Sequence, residues 1–190
     1  MVRHRIFIAI NLPKEIKEKL LNYQNYWPEV PAKWTKPENL HITLIFLGYV
    51  REEEIPKILE IVKETAQKYN SFSINLNKIY YGPPGKMPPR MVWTEGERIK
   101  VLTNLKSDLE KSLINSEIRF DSDNREFRPH ITLARIRTWE FKQIEPEERP
   151  KIQEEISLTF PVNSIEVMES ELKRGGPEYV ILESAPLGRF

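Results

Sequence analysis

The tetrapeptide His-Ile-Thr-Leu occurs twice in this 190-residue chain, as residues 41–44 and again as 130–133. Only three histidines are present, and two of them open these copies. In an extended strand, residues i and i+2 point to the same face about 6–7 Å apart. Each copy therefore sets His and Thr on one face (His41 with Thr43, His130 with Thr132) and Ile and Leu on the other. The apolar pair suits a core, and the imidazole and hydroxyl suit a wet surface or a site. Brought together across a groove, two imidazoles can divide the roles of general base and general acid, because an ordinary histidine titrates near 6.5. The two hydroxyls can donate hydrogen bonds to the non-bridging oxygens of a phosphate. A phosphodiester fits between two such pairs. One His-x-Thr carries little information, but two identical copies at matching positions carry much more. Zinc would want a third ligand. His4 is the one remaining histidine, and no H-x-H or H-E-x-x-H spacing occurs. No metal and no cofactor are expected.

The elements that must position these residues follow from periodicity. "RIFIAINL" (5–12) reads as a buried strand. Pro13 then opens a helix with Ile16, Leu20, Tyr23 and Trp27 at helical spacing. "NLHITLIFLG" is a strand closed by Gly48, and "REEEIPKILEIVKETAQKY" is a second helix with an acidic first turn. "SFSINLNKIYY" alternates as a half-exposed strand. The Pro/Gly-rich "GPPGKMPPR" (82–90) falls near mid-chain, where a boundary between halves is expected. A strand ("MVWTEG"), a helix with Leu102, Leu105, Leu109 and Leu113 on one side, a polar loop ("DSDNREF") and the strand "RPHITLARI" follow. A loop of partly helical character and three late strands complete the chain.

Both halves thus read β-α-β-α-β, with HITL on the second strand of each. The expectation is an α+β fold in one domain over 1–190. It comprises two pseudo-symmetric β-sheet lobes with outer helices, intertwined and corresponding to approximate halves 1–85 and 86–190. The two motif strands would face a central groove.

Composition bounds the partners. Charged residues make up 30% but nearly cancel, leaving +1. A protein that coats duplex nucleic acid by bulk charge is excluded, while a local basic cleft is not. There is no cysteine, so disulfides and thiol chemistry are excluded. A cytoplasmic location is expected. No apolar run can span a membrane. The opening "MVRHRIFIAINLP" reads as a first strand, not a signal peptide. Nothing demands more than a monomer.

With these motifs in order, the chain resembles the two-histidine (2H) phosphoesterase superfamily, defined by paired H-x-[ST]-x motifs. Within it, the chain is most similar to the RNA 2',3'-cyclic phosphodiesterases, also called 2'-5' RNA ligases. "RIFIAINLP", "WTKPENLHITLIFLG", "PPRMVW", "FRPHITLAR" and the late "VMESEL…Y" carry the resemblance over almost the whole chain. The resemblance implies hydrolysis of a 2',3'-cyclic phosphate at an RNA end (tRNA fragments among the candidates) to a 2'-phosphate. It implies His41 as proton donor, His130 as proton acceptor, and ATP-independent 2'-5' ligation in some members. Five positions after each His stand Phe46 and Arg135. By resemblance, Phe46 stacks on a base and Arg135 holds the phosphate or terminal nucleotide. Strict alternation would put both on the core face, and a bulge after the motif would re-aim them. Arg128 and Arg137 are further basic candidates near the second motif, and Lys33, Lys36 and Arg90 could line the groove rim, each otherwise a solvated surface charge; Trp34 could stack a base or cap the core, and Tyr80 and Tyr81 carry the same two readings. Two alternatives stay open: a phosphodiesterase for small nucleotide cyclic phosphates, and a non-catalytic RNA-end-binding module.

Overall fold

The computed structural model describes residues 2–122 and 125–188. Among the described residues, nine strands and four α-helices run in the order β1 (Arg3–Asn11), α1 (Lys14–Asn22), β2 (Ala32–Trp34), β3 (His41–Arg51), α2 (Ile55–Ala66), β4 (Phe72–Gly82), β5 (Met91–Gly96), α3 (Lys100–Asn115), β6 (His130–Ile136), α4 (Thr138–Gln143), β7 (Gln153–Val162), β8 (Ser164–Lys173) and β9 (Gly176–Pro186). They build an α+β structure of two antiparallel sheets. One has four strands in the order β3-β1-β8-β9, the other five in the order β2-β6-β5-β4-β7. The first motif strand lies in one sheet and the second in the other. The stretch β3-β1-β8 in one sheet matches β6-β5-β4 in the other, as the duplicated motif implied.

The sheets do not follow the two halves of the chain. After α2 the chain crosses over and adds β4 to the five-stranded sheet. After β7 it returns to lay β8 and β9 beside β1. The Pro/Gly segment 82–90 therefore does not separate lobes: it joins β4 to β5, which are paired neighbours in one sheet. The reason is physical. Periodicity gives each strand its inner face, but it says nothing of which partner completes a sheet.

One continuous apolar core lies under both sheets and receives all four helices. Ile16 and Leu20 enter from α1, Ile58 and Val62 from α2, Leu102, Leu105, Leu109 and Leu113 from α3, and Phe141 from α4. Ile42 and Ile131 of the two motifs are fully buried in it. Each such isoleucine contributes about 1.5–3 kcal/mol by leaving water, which fixes the face each motif strand must turn inward. His41, Thr43, His130 and Thr132 consequently sit half-exposed on the opposite face.

Candidate functional site

Both motif strands depart from strict alternation at the same place. In β3, Ile8 pairs with Ile45 and Ala9 with Thr43, so Leu44 is an extra residue. In β6, Val92 pairs with Ala134 and Trp93 with Thr132, so Leu133 is extra. The bulge buries two consecutive residues, Leu44–Ile45 and Leu133–Ala134, and turns the next side chain outward. Phe46 and Arg135 therefore leave the core face and reach the side on which the histidines stand. Phe46 is 59% exposed.

A groove of about 1040 Å³ runs between the sheets, and His41, Thr43, Phe46, His130, Thr132 and Arg135 all line it. Lys33, Lys36, Arg90, Arg128 and Trp34 join them, and the segment 82–90 contributes Pro83, Pro84 and Lys86. Arg137 does not; it pairs with Glu140 at 3.3 Å. Tyr80 and Tyr81 stand apart from the lining, Tyr81 donating its hydroxyl hydrogen to the Pro150 carbonyl at 2.8 Å. His4 bonds Glu169 at 2.7 Å, away from the groove. Among the described residues, eight Lys and Arg side chains line the groove against three carboxylates, although the whole chain nets only +1. The near-neutral composition hides a cationic cleft suited to a polyanion.

The backbone orients both imidazoles in the same way. His41 Nδ1–H donates to the Asn39 carbonyl at 2.7 Å, and His130 Nδ1–H donates to the Arg128 carbonyl at 2.7 Å. A carbonyl only accepts, so the proton of each neutral ring is on Nδ1 and Nε2 is the acceptor. The rest of the surroundings differ. His41 packs against Phe7 and Tyr179, with ring centroids 5.0 and 5.2 Å away. The Thr43 hydroxyl donates to His41 Nε2 at 2.9 Å. His130 stacks on Trp93 at 3.8 Å, with the planes 24° apart. The Thr132 hydroxyl faces Met91 Sδ at 3.9 Å. Burial holds His41 down at about 4, with Lys17 and His130 lowering it and the Asn39 carbonyl opposing them. Burial also lowers His130, with the Arg128 carbonyl and the Glu95 carboxylate opposing it. Both rings are neutral in the free groove at pH 7. Among the described residues, no group of three or more His, Asp or Glu could hold a metal ion, and no helix is long and apolar enough to cross a membrane.

Trp93, Tyr179 and Phe7, which seat the two imidazoles, were not singled out by residue chemistry. Trp93 closes "PPRMVW" and Phe7 sits in "RIFIAINLP", so both lay within recognisable segments, but nothing local marks a ring as the neighbour of a distant histidine. β2 was also missed, because three residues are too few to show a period.

The LigT like Phosphoesterase family matches this chain twice, over residues 10–93 and 95–179, one match for each motif. The RNA 2',3'-cyclic phosphodiesterase of Thermus thermophilus is 31% identical over 96% of this chain and 90% of its own length. That of Thermotoga maritima is 30% identical over 94% and 92%. Among solved structures, a Thermus thermophilus protein superposes with a TM-score of 0.83 at 30% identity, covering 98% of this chain and all of its own. Escherichia coli LigT in complex with 3'-AMP superposes at 0.79 and 25% identity, covering 99% and 100%. A two-motif groove on this fold, matched twice by one family and along nearly its full length by these relatives, makes the chain a member of the LigT-like phosphoesterases, the two-histidine family that includes the RNA 2',3'-cyclic phosphodiesterases.

Proposed function

We propose that this protein hydrolyses 2',3'-cyclic phosphates at RNA ends to 2'-phosphomonoesters by general acid–base catalysis between His41 and His130. The observation that carries the proposal is the pair of Nδ1-anchored imidazoles lining one cationic groove, each with a threonine beside it. In-line displacement at phosphorus needs a proton handler on each side. His130 Nε2 takes a proton from water as its oxygen attacks phosphorus. The P–O3' bond breaks, and O3' takes the proton from His41 Nε2. The product carries a 2'-phosphate and a free 3' hydroxyl, with His41 neutral and His130 protonated until solvent resets them.

For this His41 must acquire a proton that it lacks in the free groove. The phosphodiester supplies the reason to hold one: an anion within a few ångströms raises a neighbouring imidazole by about 1–3 units. A ring held low by burial then releases that proton readily to the leaving oxygen. Protonation of Nε2 ends its acceptance of the Thr43 hydroxyl, which becomes available to a non-bridging oxygen. Phe46 offers a face for a base, and Arg135 a fork for phosphate. An RNA 5' hydroxyl in place of water would yield a 2'-5' linkage through the same groups. The roles are tested with wild type, His41→Ala and His130→Ala on a cyclic-phosphate oligonucleotide in EDTA. Wild type turns over, and each variant loses about 10²–10⁴-fold in kcat. Loss of wild-type activity in EDTA would overturn the acid–base scheme. Full binding with no wild-type turnover would leave an RNA-end-binding module.

A further inference from the structure

The two motifs differ at the register position directly beside each histidine. Across from His41, the neighbouring strand presents Asn11. Across from His130, it presents Glu95. Directly cross-strand residues point to the same face, with Cβ atoms about 4.5–5.5 Å apart. The carboxylate thus stands beside the second imidazole and a neutral amide beside the first.

Glu95 is only 6% exposed, and a carboxylate is rarely so buried unless paired. Its partners close around it from each side. The Tyr80 hydroxyl on β4 donates to Oε2. Lys78 Nζ, also on β4, lies 3.5 Å away, and Arg128 Nη1, just ahead of β6, lies 4.0 Å away. Lys78, Glu95 and His130 form one row across three strands, with Glu155 of β7 beyond Lys78. Burial and the Glu95 carboxylate push the Tyr80 hydroxyl up to about 12, so it stays a donor. Arg128 is also the residue whose carbonyl holds His130 Nδ1. Lys17 and His130, by contrast, are the charges that act on His41, and both lower it.

We propose that Glu95, anchored by Tyr80, is a positioning residue that makes His130, not His41, the proton acceptor: its carboxylate stabilises the imidazolium formed on His130 and draws in Arg128, whose main chain orients the ring. The proposal rests on the acid–base reading above for its catalytic meaning, but its electrostatic content stands apart from turnover. The residue paired with His41 is the neutral Asn11, and the buried Glu166 carboxylate nearby is engaged by the Asn11 N–H at 3.0 Å and by the Ser164 and Ser184 hydroxyls, so the ring beside Asn11 gives up its proton more easily. The division of labour between the two motifs is then written in the residue that neighbours each histidine, Asn11 or Glu95.

The test is NMR titration of the histidine side chains in the free protein, together with kinetics. In Glu95→Gln, which keeps the shape, the His130 value falls while that of His41 holds. In the mirror variant Asn11→Asp, the His41 value rises. With cyclic-phosphate RNA, Glu95→Gln lowers kcat about tenfold or more and leaves KM near wild type, and its pH profile moves with His130. An unchanged His130 titration in Glu95→Gln would overturn the proposal. If that variant does not fold, an unmoved His41 in Asn11→Asp would overturn it instead. The titrations need no substrate. A wild type without phosphodiesterase activity would therefore sink the proposed function while leaving the electrostatic result readable.

Discussion

Gly82→Ala offers a sharp test of how the second histidine is held. Gly82 ends β4 against the face of Trp93. A methyl group placed there would fall 2.5 Å from Trp93 Cε3 and closer still to Cγ and Cδ2. Carbon atoms at rest sit about 3.5–4.0 Å apart, so the indole must recede by more than about 1 Å. Trp93 is 8% exposed and stacked 3.8 Å from His130. A shift of the indole away from Gly82 is expected to move the imidazole stacked on it. A misplacement of about 1 Å in a reacting group costs on the order of 10²-fold, or about 2.7 kcal/mol in the barrier. Overpacking should also lower stability by about 1–3 kcal/mol. Kinetics taken well below the melting transition, with folding checked by circular dichroism, separate the two effects. The expected result is a folded protein with kcat down about 10²-fold. A lowered melting temperature with kcat within about twofold of wild type would show that Trp93 can shift without carrying His130, and would refute the reasoning.

Two further outcomes follow from the same geometry. Phe46→Ala, which removes an exposed ring from the groove, should leave the melting temperature unchanged and weaken oligonucleotide binding by about 1–3 kcal/mol, read as KM or by fluorescence anisotropy; equal binding would return Phe46 to the role of an ordinary surface residue. The productive free enzyme needs His41 protonated and His130 neutral, and both rings titrate below 6.5. kcat/KM must therefore decline as pH rises through the higher of the two values, placing its optimum below 6.5, while kcat holds to higher pH because bound phosphate raises His41. A kcat/KM optimum above about 7.5 would contradict the neutral state of both rings.

The parts of the site that were legible in the sequence are those written in short-range pattern. Period-2 alternation puts His41 with Thr43 and His130 with Thr132 on the wet face, and the structure places them there. The bulges were foreseeable only as a condition, yet a signal existed. Each HITL is followed by one more apolar residue, Ile45 or Ala134, before Phe46 or Arg135. Two apolar residues in succession at the same offset in both copies mark the break in alternation. What stayed hidden depends on pairing between distant segments. Trp93 meets His130 because β5 and β6 are neighbours, and Tyr179 meets His41 because β9, from the far end of the chain, joins the same sheet as β3. The exchange of β4 and β8 between sheets hid for the same reason, since no local pattern encodes it. The cationic groove was hidden by averaging: its lysines and arginines are offset in the total charge by acidic residues elsewhere.

The central claim is that His41 protonates O3' while His130 activates water. Its most direct measurement is the ³¹P NMR spectrum of a short RNA ending in a 2',3'-cyclic phosphate after incubation with the protein in EDTA. Conversion to the 2'-phosphomonoester alone is the expected result, because the proposed scheme delivers the His41 proton to O3' and breaks only the P–O3' bond. A 3'-phosphomonoester, a mixture of the two, or a cyclic resonance that persists would contradict it.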